Sequence, residues 1–160
     1  GGERAGHFAM GRWSHSGLAP TFAGSVVDGP TGWYGLVEQR LNGHEETAEA
    51  GATGWLAFLK YGRSNDAVSD FGQHLMVGLV REAPLGWDAA STGLMVSAVD
   101  LSDRPAAGYP ANETTLESYL RFPLLGFLSL APDVQYIVHP SGQAGVKDAL
   151  VGTLRMELSF

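Results

Sequence analysis

The chain has 160 residues, a net charge of −7 and 17% charged residues, against roughly 25% in a typical globular domain. It lacks clustered Lys and Arg, which disfavours nucleic-acid binding, and it has no cysteine, which excludes disulfides and Cys-based zinc sites. No apolar run approaches the roughly 20 residues of a membrane helix. Composition therefore leaves two all-β interpretations, strands that separate lipid from water or a soluble β domain.

Turn-forming residues divide the chain into about eight segments of strand length. In chain order, the predicted strands are Ala5–His15, Trp33–Leu41, Gly54–Arg63, Phe71–Arg81, Thr92–Leu101, Thr114–Phe122, Leu128–His139 and Asp148–Phe160. Segments of about nine to eleven residues match the length that crosses a bilayer at a tilt. We expect residues 1–160 to form a single barrel segment, because no domain boundary interrupts this pattern.

The last predicted strand has the clearest alternation. One face carries the apolar residues Leu150, Leu154, Met156, Leu158 and Phe160. The other face carries the polar residues Thr153, Arg155, Glu157 and Ser159. A period of two predicts one apolar and one wet face. The terminal aromatic residue is typical of outer-membrane barrels, whose closing strand places a ring at the membrane interface.

Alternation along the chain assigns each connection to one side of a membrane. With the C-terminus on the periplasmic side, the exterior connections are Ser16–Gly32, Ser64–Asp70, Ser102–Glu113 and Ser141–Lys147, and the interior ones are Asn42–Thr53, Ala83–Ser91 and Pro123–Gly126. Longer loops are expected outside, and the long interior connection Asn42–Thr53 departs from that rule. Aromatic residues near strand ends predict two belts, Phe122, Phe127, Trp55 and Phe160 inside and Trp33, Tyr61 and Phe71 outside.

One segment near the C-terminus resembles a known family. Residues 132–140 read Pro-Asp-Val-Gln-Tyr-Ile-Val-His-Pro, which resembles the Pro-Asp-x-Gln-Tyr-x-x-x-Pro segment of carbohydrate-selective porins (OprB-like). Glu113-Thr114 and Asp148–Gly152 are similar to the adjoining family strands, whereas Glu82–Asp88 departs from the family pattern. The resemblance implies an antiparallel transmembrane β-barrel in the bacterial outer membrane, with this chain as the C-terminal half of a sixteen-stranded porin. It further implies passive diffusion of sugars, without catalysis or a cofactor, through a barrel completed by a missing N-terminal half.

A pore for sugars needs a wall with mixed hydrogen-bond donors and acceptors. The expected pore-lining residues are Glu38, Arg40, Lys60, Glu117, Tyr119, Arg121, Asp133, Gln135, Thr153, Arg155 and Glu157, and His139 shares their predicted face. A symmetric outer loop would place Asp133 opposite Arg155, whereas a register slip of two would place Thr153 there. Both faces of Phe71–Arg81 and of Thr92–Leu101 are apolar, so their orientation stays open.

Two other functions remain compatible with the pattern. An outer-membrane hydrolase on a similar barrel would use His15 and His139, each of which adjoins a serine-containing turn. A soluble eight-stranded barrel would turn the apolar face inward around a small apolar ligand. We expect His44-Glu45-Glu46 to be an exposed acidic turn rather than a metal site. The sequence does not identify the particular sugar, and it does not determine whether the protein forms a homo-oligomer.

Overall fold

A computed structural model describes residues 6–45 and 51–159. The strands are β1 (Gly6–Ser14), β2 (Leu18–Pro20), β3 (Val26–Asp28), β4 (Thr31–Arg40), β5 (Gly54–Ser64), β6 (Phe71–Glu82), β7 (Ser91–Leu101), β8 (Glu113–Leu125), β9 (Leu128–Val138) and β10 (Ala149–Leu158). Short 3₁₀ helices lie at Pro84–Gly86, Pro105–Ala107 and Pro140–Gly142. Among the described residues, no helix is long and apolar enough to cross a membrane.

Eight strands form one antiparallel sheet in the order β1-β4-β5-β6-β7-β8-β9-β10, and β2 pairs with β3 in a separate hairpin. This confirms the all-β antiparallel prediction and its eight strands. The predicted ends at Ala5 and Phe160 lie outside the described residues. In the part of the chain that the structure describes, β1 pairs only with β4 and β10 only with β9, so the sheet has two open edges.

The register gives the sheet two chemically different faces, because directly paired residues of antiparallel strands share a face. We call the face that carries Leu154 and its partner Pro132 the apolar face, and the face that carries Arg155 and its partner Ala131 the polar face. Apart from irregularities at Phe71–Gln73 and Pro123–Leu125, near strand ends, the pairing keeps the same two faces from β10 to β1. It resolves the two ambiguous strands, since Leu79 and its partner Leu94 lie on the apolar face.

Nothing in the described chain covers the apolar face. Phe8 is 84% exposed, Met10 81% and Leu150 75%. The buried apolar residues among those described are three alanines, Ala83, Ala90 and Ala131. Soluble monomers rarely expose apolar patches above a few hundred Å². The sheet therefore has no conventional core, and its apolar surface requires an apolar environment outside the described residues.

The two ends of the strands differ. We call the end with connections 41–53, 83–90 and 126–127 the turn end, and the end with connections 15–30, 65–70, 102–112 and 139–148 the loop end. Trp55 and Phe122 lie on the apolar face near the turn end, with Phe127 in the adjacent turn. Trp33 and Tyr61 lie on the apolar face near the loop end, with ring centroids 5.1 Å apart. Phe71 begins β6 there, and Phe160 lies outside the described residues.

The long connection at the turn end continues the β4–β5 hairpin beyond the sheet. The amides and carbonyls of His44 and Thr53 exchange hydrogen bonds of 3.1 and 2.9 Å. Gly43 and Gly54 have positive φ angles of 82° and 106°, and a side chain on either glycine would meet the facing backbone. These glycines let the two backbone segments approach closely. Residues 46–50 lie outside the described part of this connection.

Candidate pore wall

The structure places all of the predicted pore-lining residues on the polar face. They are Glu38 and Arg40 on β4, Lys60 on β5, Glu117, Tyr119 and Arg121 on β8, Asp133 and Gln135 on β9, and Thr153, Arg155 and Glu157 on β10. His139 differs, because it follows the end of β9 with a positive φ of 50° and begins the 139–148 connection. The strand alternation that predicted the shared face does not extend past Val138.

Polar side chains converge where β8 and β9 pair. The side-chain amide of Gln135 donates to Oε2 of Glu117 and to Oδ1 of Asp133, each at 3.2 Å. Tyr119 lies directly opposite Asp133 on the same face. Two carboxylates that share one amide donor leave acceptor capacity for hydroxyl groups.

The predicted pairing of Asp133 with Arg155 is wrong. Asp133 lies opposite Thr153, and Arg155 lies opposite Ala131, which is the alternative register with a slip of two. The pair nearest the 139–148 connection is Ile137 and Ala149. Within the connection, Asp148 accepts hydrogen bonds from the Tyr136 hydroxyl at 2.7 Å and from the His139 amide at 3.2 Å. These hydrogen bonds, the one from the hydroxyl first, hold the pKa of Asp148 below its ordinary value.

Two arginines on the polar face each reach across a neighbouring strand to a carboxylate on the next one. Arg121 on β8 donates from Nε to Oε2 of Glu157 on β10 at 2.9 Å. It passes over β9 where that strand presents the small residues Ala131 and Ser129, and Ser129 Oγ lies 3.4 Å from Nη2.

The second arginine forms the same arrangement at the turn end of β4. Arg40 donates to Glu82 on β6 and, at 2.8 Å, to the carbonyl of Thr53. Its side chain crosses β5 at Gly54, which is the residue paired with Glu82. Gly54 has no side chain to block this path. We call these two contacts the strand-skipping pairs. No sequence pattern indicates these pairs, because they depend on the register of strands that are not neighbours.

Aromatic rings on the polar face lie against glycines of the adjacent strand. The directly opposed pairs are Trp13–Gly32, Tyr34–Gly11, Phe58–Gly78 and Tyr119–Gly93. A Cβ on Gly11 would lie 2.6 Å from Cζ of Tyr34, so the ring occupies the space above the glycine. Such cross-strand pairs cover the glycine backbone. Sequence reasoning found Tyr119 but missed the other three rings, whose glycine partners appear only in the register.

Lysine and arginine side chains also lie beside aromatic rings. The Lys60 ammonium lies 5.4 Å from the ring centre of Phe58 on the polar face. The Arg81 guanidinium lies 5.7 Å from the ring of Trp55 on the apolar face. Both distances are within the range of a cation–π contact.

The connections at the loop end are tied to one another. Arg104 pairs with Asp66 at 3.1 Å, and Tyr109 donates to Oδ1 of Asp70 at 2.8 Å. Ser102, only 1% exposed, donates from Oγ to the Asp66 carbonyl at 2.6 Å. The Arg104 hydrogen bond lowers the pKa of Asp66, and the Asp70 hydrogen bond raises the pKa of Tyr109.

The residues proposed for a hydrolase are not brought together. The ring of His15 accepts a hydrogen bond from the amide of its neighbour Gly17 at 3.1 Å, beside β1. His139 lies in the connection between β9 and β10, at the other side of the described sheet. Across residues 6–45 and 51–159, no group of three or more His, Cys, Asp or Glu side chains could hold a metal ion.

A single antiparallel sheet with an uncovered apolar face and an ion-paired polar face is typical of β-stranded membrane proteins. Residues 7–160 match the model of the OprB family of carbohydrate-selective porins, and the chain belongs to this family. It is a bacterial outer-membrane protein of a porin family.

A solved structure supports the fold. The high-pH structure of Pseudomonas putida OprB matches 98% of this chain with a TM-score of 0.83 and 19% sequence identity. The chain spans 45% of the length of that protein. Comparison with curated proteins gave no match.

Proposed function

We propose that the chain is the C-terminal half of a sixteen-stranded barrel through which carbohydrates diffuse passively across the outer membrane. Two facts support the half-barrel, namely the match to 45% of the P. putida OprB chain and the two open sheet edges. Unpaired backbone groups cost several kcal/mol each in lipid, roughly as much as a buried unsatisfied polar group. An N-terminal half that pairs with β1 and β10 would remove both edges.

In this proposal the apolar face contacts lipid and the polar face lines the pore. The observation that carries it is the placement of charge on the apolar face. Its four charged residues, Arg12, Arg63, Arg81 and Asp100, each lie within two residues of a strand end. A Lys or Arg at the bilayer midplane would cost about 2–4 kcal/mol, falling to nearly zero at the interfaces. The central part of this face is free of charge in all eight described strands of the sheet.

The polar face suits neutral sugars in transit. The Glu117–Gln135–Asp133 cluster offers acceptors and donors for hydroxyl groups, and Tyr34 and Trp13 offer rings on which a sugar can stack. Weak, repeated contacts of this kind let a sugar enter and leave. The strand-skipping pairs cancel four of the charges on this wall.

The test is sugar flux into liposomes that contain the native full-length protein. We expect swelling with neutral sugars, at rates that fall with sugar size and do not depend on a membrane potential. Tyr34→Ala should reduce the preference for sugars over acyclic polyols of equal size, because the stacking surface is lost. Leu154→Ala on the apolar face is the matched control and should leave flux unchanged. Swelling no faster than in protein-free liposomes would overturn the proposed function.

A further inference from the structure

Three residues form a continuous row at the loop end of the apolar face. Arg12 on β1 lies opposite Trp33 on β4, and Trp33 lies opposite Arg63 on β5. Both arginines are exposed, and Trp33 is 46% exposed. Directly opposed residues have Cβ atoms about 5 Å apart. The side chains of Arg12 and Arg63 therefore leave the sheet on either side of Trp33.

Arg12 and Arg63 differ from most other arginines of the described chain in the contacts of their guanidinium groups. Arg40, Arg104 and Arg121 each pair with a carboxylate, and Arg81 lies over a tryptophan ring. Within residues 6–45 and 51–159, no side-chain hydrogen bond or ion pair joins the guanidinium of Arg12 or of Arg63 to another residue. Two adjacent cations without a carboxylate partner form a local positive field on a chain whose net charge is −7.

The same row borders a groove. The groove has a volume of about 650 Å³ and is lined by Arg12, Arg63, Trp33, Thr31, Asn65 and Asp66, among others. Asp66 is the one acidic residue of this lining, and its carboxylate is paired with Arg104 at 3.1 Å. The hydroxyl of Thr31 and the amide group of Asn65 add neutral hydrogen-bonding groups. The groove thus combines two free guanidinium groups with donors that suit phosphate and sugar hydroxyls.

Trp33 fixes the depth of this groove in the membrane. Tryptophan and tyrosine side chains at strand ends lie at the level of lipid head groups. Trp33 packs beside Tyr61, whose ring centroid is 5.1 Å away. In the proposed orientation, these two rings place the row Arg12–Trp33–Arg63 at the head-group level. Guanidinium groups suit phosphates at that level, because they can form bidentate, charge-assisted hydrogen bonds with them.

We propose that Arg12 and Arg63 bind the phosphate groups of a phosphorylated glycolipid in the outer leaflet, with Trp33 against its apolar part. The inference rests on the proposed orientation, in which the apolar face contacts lipid and the loop end is exterior. A glycolipid fits better than a glycerophospholipid, because the exterior head group also supplies sugar hydroxyls to Thr31 and Asn65.

The test uses the native full-length protein, purified in detergent with EDTA so that bound divalent metal does not contribute. Binding of a radiolabelled, bisphosphorylated disaccharide glycolipid is measured for the parent, for Arg12→Gln/Arg63→Gln and for Arg81→Gln/Lys147→Gln. The last variant removes the same charge elsewhere on the described surface. We expect binding to weaken about tenfold or more in the first variant only, the size of a lost charged contact. The dephosphorylated glycolipid should bind all three proteins equally weakly.

Several outcomes would overturn the inference. These are parental binding by Arg12→Gln/Arg63→Gln, equal losses in both variants, or equally strong binding of the dephosphorylated glycolipid. Equal or tighter binding of phosphatidylglycerol micelles would show a phospholipid site and refute the glycolipid. Heat-dependent migration in gels checks that each variant is folded.

Sugar flux separates this inference from the proposed function. If the row faces lipid, Arg12→Gln/Arg63→Gln should swell liposomes at the parental rate. Arginine-dependent glycolipid binding without sugar flux in the parent would refute transport alone. Altered flux with unchanged glycolipid binding would place the row in the pore and refute the inference.

Discussion

At the scale of single residues, the two strand-skipping pairs show how burial changes the contribution of an arginine–carboxylate pair to stability. The Arg40 side chain is 7% exposed and that of Glu82 is 20%, whereas Arg121 and Glu157 are each 37% exposed. An exposed ion pair contributes about 0–1 kcal/mol, because water screens it. Removing one partner of a buried pair costs about 3–5 kcal/mol, because the remaining charge is left uncompensated.

Glu82→Gln should therefore destabilise the protein far more than Glu157→Gln. The first change leaves the Arg40 guanidinium with the Thr53 carbonyl as its remaining acceptor, while the second leaves Arg121 in contact with water. We expect a lower urea midpoint for Glu82→Gln and a shift of less than about 1 kcal/mol for Glu157→Gln. Unfolding in detergent micelles, followed by tryptophan fluorescence, provides the measurement. Equal shifts would contradict the assignment of Arg40 as a buried partner.

The pairing of Asp66 with Arg104 predicts a pH-dependent tie between two connections at the loop end. Because the pKa of Asp66 is lowered in the folded protein, the tie stabilises above the ordinary carboxyl pKa and is lost as pH falls through the lowered value. A nitroxide at Ala106, in the 102–112 connection, should gain mobility only after the pH has fallen below the ordinary carboxyl pKa. In Asp66→Asn the label should already be mobile at pH 7. A label whose mobility is the same in parent and variant would refute the tie.

At the scale of elements, alternation predicted which face of a strand is apolar, but it did not predict which residues of neighbouring strands lie opposite each other. Every second residue of β10 is apolar or glycine, so its faces are readable from the sequence alone. Met76 and Val80 lie on the polar face of β6 beside apolar-face Leu79, so no alternation distinguishes the faces there. The β2–β3 hairpin was missed, because strands of three residues carry too little pattern. Register depends on the 139–148 connection, whose Asp148 contacts are not visible in the sequence.

The β9–β10 register is open to a direct test, since the chain has no native cysteine. Directly opposed Cβ atoms are about 5 Å apart and diagonal ones about 7–8 Å, and disulfides need the shorter separation. Under mild oxidation, Asp133→Cys/Thr153→Cys should cross-link faster than Asp133→Cys/Arg155→Cys. Faster cross-linking of the second pair would restore the register expected from a symmetric loop.

At the scale of the whole molecule, the account depends on two unlike faces of one sheet. The apolar face was predictable on strands such as β10, where apolar and polar residues alternate with a period of two. The aromatic–glycine pairs and the strand-skipping pairs were not predictable from the sequence, because they depend on how different strands are aligned. Closure of the barrel requires strands beyond the two open edges at β1 and β10.

The orientation of the two faces can be measured with single nitroxide labels in bilayers. Labels at Leu154, Met156 and Leu158 should be relaxed by oxygen, which concentrates in lipid, and labels at Arg155 and Glu157 by a water-soluble nickel chelate. Residues 154 and 155 are chain neighbours at the same depth, so depth alone cannot produce the difference. The account predicts opposite accessibility at these two positions. Oxygen accessibility at 155 together with nickel accessibility at 154 would contradict it.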